Sequence, residues 1–121
     1  MKSLDLFTGV GGIALGFERA GIEAAAFCDN DKAARAVLSK NWPNVPQYGD
    51  VQELTNERLV TDGVDGIGVV TAGFPCQPYS RGNWRRQGRG DTRDMSGEVV
   101  RLVQDINPAF FVGENTEGFL D

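Results

Sequence analysis

The chain has 121 residues, 40% hydrophobic and 24% charged, with a formal net charge of −5, which fits one small domain with a single core. No apolar run approaches the ~20 residues needed to cross a bilayer, and Met1-Lys2-Ser3 leads into an apolar stretch with no secretory signal pattern, so the chain reads as cytoplasmic. Histidine is absent, which excludes Ser-His and Cys-His dyads and most zinc sites and leaves no metal expected; two cysteines, Cys28 and Cys76, make no disulfide framework.

Ser3–Phe7 reads as a strand that ends in Thr8-Gly9-Val10-Gly11-Gly12. A helix follows, with Ile13, Leu15, Gly16, Phe17 and Ala20 spaced for one buried side and Gly21 as its stop. Ala24–Cys28 is a second strand, and Asn30 or Asp31 caps a helix that runs to about Asn41, before Pro43. A weaker strand near Val45–Tyr48 precedes Gly49-Asp50, and a short helix is expected around Gln52–Leu59. Ile67–Ala72 is the clearest buried strand and enters Gly73-Phe74-Pro75-Cys76. Residues Ser80 to about Arg93 are rich in Arg and Gly and read as a long mobile loop. Asp94–Ile106 is a helix stopped by Asn107-Pro108, and Ala109–Val112 is a last strand before Gly113-Glu114-Asn115. No repeat, low-complexity tract or linker divides the chain.

About five strands alternating with helices imply an α/β fold, a parallel sheet flanked by helices on both faces. Ligands of such sheets collect outside the carboxyl ends of the strands. Gly9, Gly11, Asp29, Asp50, Cys76 and Glu114 all fall at those ends. The glycine loop permits close approach of a ligand beside a helix N-terminus, although it lacks the third glycine of the dinucleotide fingerprint and also suits a plain tight turn. Asp29 stands where a carboxylate takes a ribose hydroxyl pair; the other reading is helix capping, which Asn30 or Asp31 can perform and so leave Asp29 free. Cys76 follows Pro75 at the end of a buried strand, with cations nearby that favour its thiolate, whereas Cys28 lies within a strand and reads as a small buried hydrophobe. Arg81, Arg85, Arg86, Arg89 and Arg93 share one stretch with a single acid, Asp91, and with Trp84. Such a stretch is either solvated surface or a loop that closes over phosphates. Glu114, beyond Phe110 and Phe111, can hold a proton for donation or be an ordinary loop glutamate.

Together these stretches resemble the cytosine-5 DNA methyltransferases that use S-adenosylmethionine, from Asp5 to Leu120. Asp5-Leu6-Phe7-Thr8-Gly9-Val10-Gly11-Gly12 resembles the first motif of that family, and Gly73-Phe74-Pro75-Cys76-Gln77-Pro78-Tyr79-Ser80 its catalytic Pro-Cys motif. Asp91-Thr92-Arg93 is similar to the start of the next motif, and Gly113-Glu114-Asn115 to the Glu-Asn motif. The resemblance implies a Rossmann-like methyltransferase fold over residues 1–121, as an incomplete catalytic and cofactor-binding domain without a target-recognition domain. It implies that Phe7, Gly9, Val10, Gly11, Gly12, Asn30, Gly73 and Pro75 border the S-adenosylmethionine site. Asp29 would hold the ribose, in place of the commoner Glu, and Asp50 the adenine amino group, with Val51 beside the ring. Gln77, Ser80, Arg81, Arg85, Arg86, Arg89 and Arg93 would meet DNA.

The implied reaction uses Cys76 as nucleophile on C6 of a flipped cytosine in double-stranded DNA, Glu114 as proton donor to N3, and Asn115 and Pro75 to shape the loops. S-adenosylhomocysteine is the implied product, and a modification or restriction–modification system the implied setting. The Gln-x-Arg-x-Arg motif and target-recognition domain of the family are not found, and Thr116 replaces a common Val. The expectation is therefore a fragment, inactive alone, or one piece of a split enzyme completed by a second polypeptide, with apolar surface bare at the sheet edge. A tRNA cytosine methyltransferase of the same chemistry and a non-catalytic cofactor-binding or regulatory module are the alternatives.

Overall fold

The computed structural model describes residues 1–9, 11–73 and 96–114. Five parallel strands form one sheet: β1 (Lys2–Leu6), β2 (Glu23–Cys28), β3 (Gln47–Tyr48), β4 (Ile67–Gly73) and β5 (Phe110–Glu114). Four helices connect them: α1 (Gly12–Arg19), α2 (Lys32–Asn41), α3 (Asn56–Thr61) and α4 (Ser96–Ile106). Strand order is β3-β2-β1-β4-β5. The chain steps outward from β1 to β3, then returns to lay β4 on the other side of β1. In sheets of this kind ligands collect at such a reversal, here at the carboxyl ends of β1 and β4.

The strands form because most of their residues are apolar, as a parallel sheet covered on both sides requires. On one face Leu4, Leu6, Ala26, Cys28, Val70 and Ala72 pack with Leu54, Leu59, Val99 and Leu102 from the α3 and α4 side. On the other, Phe27 packs with Ala14 of α1 and Leu38 of α2, and Trp42 meets the Phe27 ring edge-on at a centroid distance of 5.5 Å. That second face also carries three buried polar residues, Ser3, Asp5 and Thr71.

Two boundaries differ from the sequence reading in ways that bear on function. The single helix expected around Gln52–Leu59 is a 3-10 turn at Val51–Glu53 followed by α3. Asp50 caps the first and Thr55 the second, whose hydroxyl accepts from the Arg58 amide at 3.0 Å, so two side-chain caps divide one apolar pattern. The last strand runs on to Glu114 instead of ending at Val112, because its pairing with β4 continues through Gly73↔Glu114. Among the described residues β5 is an edge strand, and Phe110, Phe111 and Val112 are all exposed. No helix among the described residues is long and apolar enough to cross a membrane.

Candidate functional site at the carboxyl ends of the strands

The loop after β1 begins under strain. Phe7 takes a left-handed backbone, φ 54°, rare for a bulky side chain, and its amide donates to the Cys28 carbonyl at 2.7 Å. This bends the chain out of the sheet and fastens the end of β1 to the end of β2. The Thr8 hydroxyl then donates back to the Asp5 carbonyl at 2.7 Å.

Two glycines of the loop have different duties. Among the described residues nothing would lie within 4 Å of a β-carbon on Gly9 (φ +60°), so they leave room beside its backbone. Gly11 (φ +94°) is buried, and a β-carbon there would stand 2.7 Å from the Trp42 ring and 3.1 Å from Leu38. Gly11 therefore serves the seat of α1 on α2 as much as any ligand. Gly12, the first residue of α1, is open again.

Asp29 joins this loop from the end of β2. Its Oδ2 accepts from the Gly9 amide at 2.6 Å and its Oδ1 from the Asp31 amide at 2.9 Å. The sequence reading left Asp29 free; the structure engages both oxygens, while Asp31 does the helix capping by accepting from Ala33 N at 2.9 Å. A carboxylate has about four acceptor sites, so each oxygen keeps acceptor capacity beyond these bonds. Asn30 is exposed between the two acids. Asp50 is exposed and accepts from Gln52 N at 2.9 Å, so it too is a cap with capacity left. Val51, expected beside an adenine ring, turns its side chain into the core.

Across the reversal, a β-carbon on Gly73 would come 3.4 Å from the Phe7 carbonyl, so the ends of β1 and β4 nearly touch. Gly73 pairs in turn with Glu114. The ends of β2, β1, β4 and β5 thus bring Asp29, Gly9, Gly73 and the Glu114 backbone to one rim. Val10, Pro75, Cys76, Gln77, Ser80, Arg81, Arg85, Arg86, Arg89, Arg93 and Asn115 lie outside the described residues.

Sequence reasoning passed over several residues that build this rim. Asp5, 1% exposed, accepts from the Thr71 hydroxyl at 2.7 Å through Oδ1, while Oδ2 has no partner among the described residues. Burial raises its pKa above the ordinary carboxylate value, and the Thr71 hydrogen bond and nearby Ser3 hydroxyl only partly offset this. Arg35 on α2 donates to the Asp29 carbonyl at 2.7 Å. Arg101 on α4 pairs with Glu98 at 2.9 Å and donates to the Val51 carbonyl at 3.0 Å, tying α4 to the turn after Asp50. One signal was available: an aspartate inside the apolar run Ser3–Phe7. The arginines look like any cation on an amphipathic helix. Cys28 is buried as expected; burial first, then the Asp29 and Asp50 carboxylates, push its thiol up to about 12 against the opposing pull of Arg35.

A family model for C-5 cytosine-specific DNA methylases matches residues 1–121. The type II methyltransferase M.NgoMIV of Neisseria gonorrhoeae is 37% identical over 121 residues, which cover 98% of this chain and 36% of the relative. M.FnuDI of Fusobacterium nucleatum is 38% identical over 122 residues, covering 99% of this chain and 33% of the relative. Among solved structures, a prophage-encoded E. coli protein described as a DNA modification methyltransferase superposes with a TM-score of 0.79 at 29% identity. The match covers 100% of this chain and 33% of that one. A Spodoptera frugiperda DNMT2 mutant gives a TM-score of 0.72 at 25% identity, covering 98% of this chain and 36% of that one. The chain thus spans about a third of the length of these relatives.

Proposed function

The chain belongs to the C-5 cytosine-specific DNA methylase family, and from that membership we propose that it forms the cofactor and catalytic part of an enzyme that methylates C5 of cytosine in DNA. The setting we propose is a restriction–modification system, as the names of its type II relatives suggest. The observation that carries the reading is the convergence of an open Gly9, the Asp29 and Asp50 carboxylates and the Gly73–Glu114 pair on one rim.

That rim fits S-adenosylmethionine. Space beside Gly9 admits the methionine part, Asp29 has acceptor capacity for the ribose hydroxyls, and Asp50 has it for the adenine amino group. When bound, this group supplies an electrophilic methyl carried on a sulfonium.

The residues of the chain would do the rest. The Cys76 thiolate adds to C6 of the cytosine, which moves the C5–C6 π pair toward C5 and makes that carbon nucleophilic. Glu114 gives or shares a proton at N3 as charge builds on the ring, a role typically worth ~10²–10⁴-fold. After methylation the C5 proton leaves to water, the S–C6 bond breaks and the double bond returns. Asn115 and Pro75 shape the flanking loops. Gln77, Ser80 and the arginines from Arg81 to Arg93 meet the phosphates around a base drawn out of the duplex.

Calorimetric titration of the chain with S-adenosylmethionine, with Asp29→Ala as control, tests the cofactor half of this reading. Saturable binding weakened by the substitution is expected. A folded chain that takes up no heat would refute the cofactor site as drawn.

A further inference from the structure

Arg35 lies on α2, bonds to one of the two acid-bearing loops and stands beside the other. Its Nη1 donates to the Asp29 carbonyl at 2.7 Å. The same nitrogen stands beside Gly49, the residue before Asp50, where a β-carbon would lie 3.4 Å from it, at ordinary van der Waals distance. β3 is fastened to the same stretch of α2: Gln47 Nε2 donates to the Arg35 carbonyl at 3.2 Å and to Ser39 Oγ at 2.7 Å. The Asp29 amide in turn donates to the Tyr48 carbonyl at 3.0 Å.

Among the described residues Arg35 forms no ion pair. Its charge is used on a backbone carbonyl although two carboxylates stand near enough to act on the same buried thiol. A planar guanidinium can hold a carbonyl with one edge while its face covers a flat glycine peptide; an ammonium has neither the plane nor the second edge.

We infer that Arg35 is a positioning residue of the cofactor pocket, gripping the Asp29 carbonyl and standing beside Gly49 so that the two loops present Asp29 and Asp50 at a fixed separation. This rests on the cofactor reading above. The carbonyl grip fixes the peptide from which the Asp29 side chain departs, and that side chain reaches Gly9 at 2.6 Å. Arg35 thereby reaches the glycine loop without touching it.

Arg35→Met keeps the length and apolar stem but removes the guanidinium, and Arg35→Lys keeps the charge alone. Both should weaken S-adenosylmethionine binding in titration by roughly tenfold, the size of one charge-assisted hydrogen bond. In the ligand-free chain, the Gly9 amide proton should be shifted strongly downfield by its short bond to Asp29 and slow to exchange. In Arg35→Met that shift should collapse and exchange should speed up, while amides of β4 and α4 stay as they were; general destabilisation would move all of them. An unchanged Gly9 amide, or Lys restoring full affinity, overturns the inference. A wild-type chain that binds nothing removes the cofactor reading, and the Gly9 amide then decides by itself whether Arg35 sets the loops.

Discussion

The same strands show two unlike faces. Toward α3 and α4 the central strands are apolar, with Leu4, Leu6, Ala26, Cys28, Val70 and Ala72 in one continuous cluster. Toward α1 and α2, Phe27 continues directly into Asp5 and Thr71, its register neighbours on β1 and β4. One face is built for burial alone. The other accepts a buried carboxyl under the loop that we read as the cofactor loop, at a cost no packing demand explains. The difference suggests where this domain gives up stability to hold a site.

The largest effect should come from the apolar face. Leu102 is fully buried there, and Leu102→Ala should cost about 2–5 kcal/mol in chemical denaturation. A loss under 1 kcal/mol would show that this face packs more loosely than drawn. Gly11→Ala probes the other face. It combines left-handed backbone strain with a collision at Trp42 and should cost roughly 1–3 kcal/mol by the same measurement. If the variant proved as stable as wild type, α1 would not be seated on Trp42.

The smallest effect is the most diagnostic. The Asp5 pKa is raised in the folded chain, so its contribution to stability is complete below the unfolded value near 3.8 and is lost as pH rises through the folded pKa. Asp5→Asn cannot ionise. Its stability relative to wild type should therefore climb with pH above about 4, followed by denaturant unfolding at several pH values. A constant difference at every pH would mean that Asp5 is not held by its burial.

Much of the fold was legible because buried parallel strands are long apolar runs that need no partner to be recognised. Ile67–Ala72 and Ala24–Cys28 reappear with one-residue adjustments. The region around Val51–Leu59 was less legible: its apolar spacing suits a helix, and only the caps at Asp50 and Thr55 reveal two pieces. At the rim, the acids could be placed from their positions after strands, but the arginines could not. Arg35 and Arg101 act on backbone carbonyls, and a carbonyl leaves no mark in a sequence. Asp29 shows the same limit in reverse, since its place after β2 could be read and its engagement with the Gly9 amide could not.

The buried thiol of Cys28 has a practical consequence. With its pKa near 12 and almost no access to solvent, it holds no meaningful thiolate at neutral pH. Cys28 should therefore stay silent toward mild electrophiles at neutral pH, and alkylation seen on the folded protein need not be corrected for it, a background removed by the core itself.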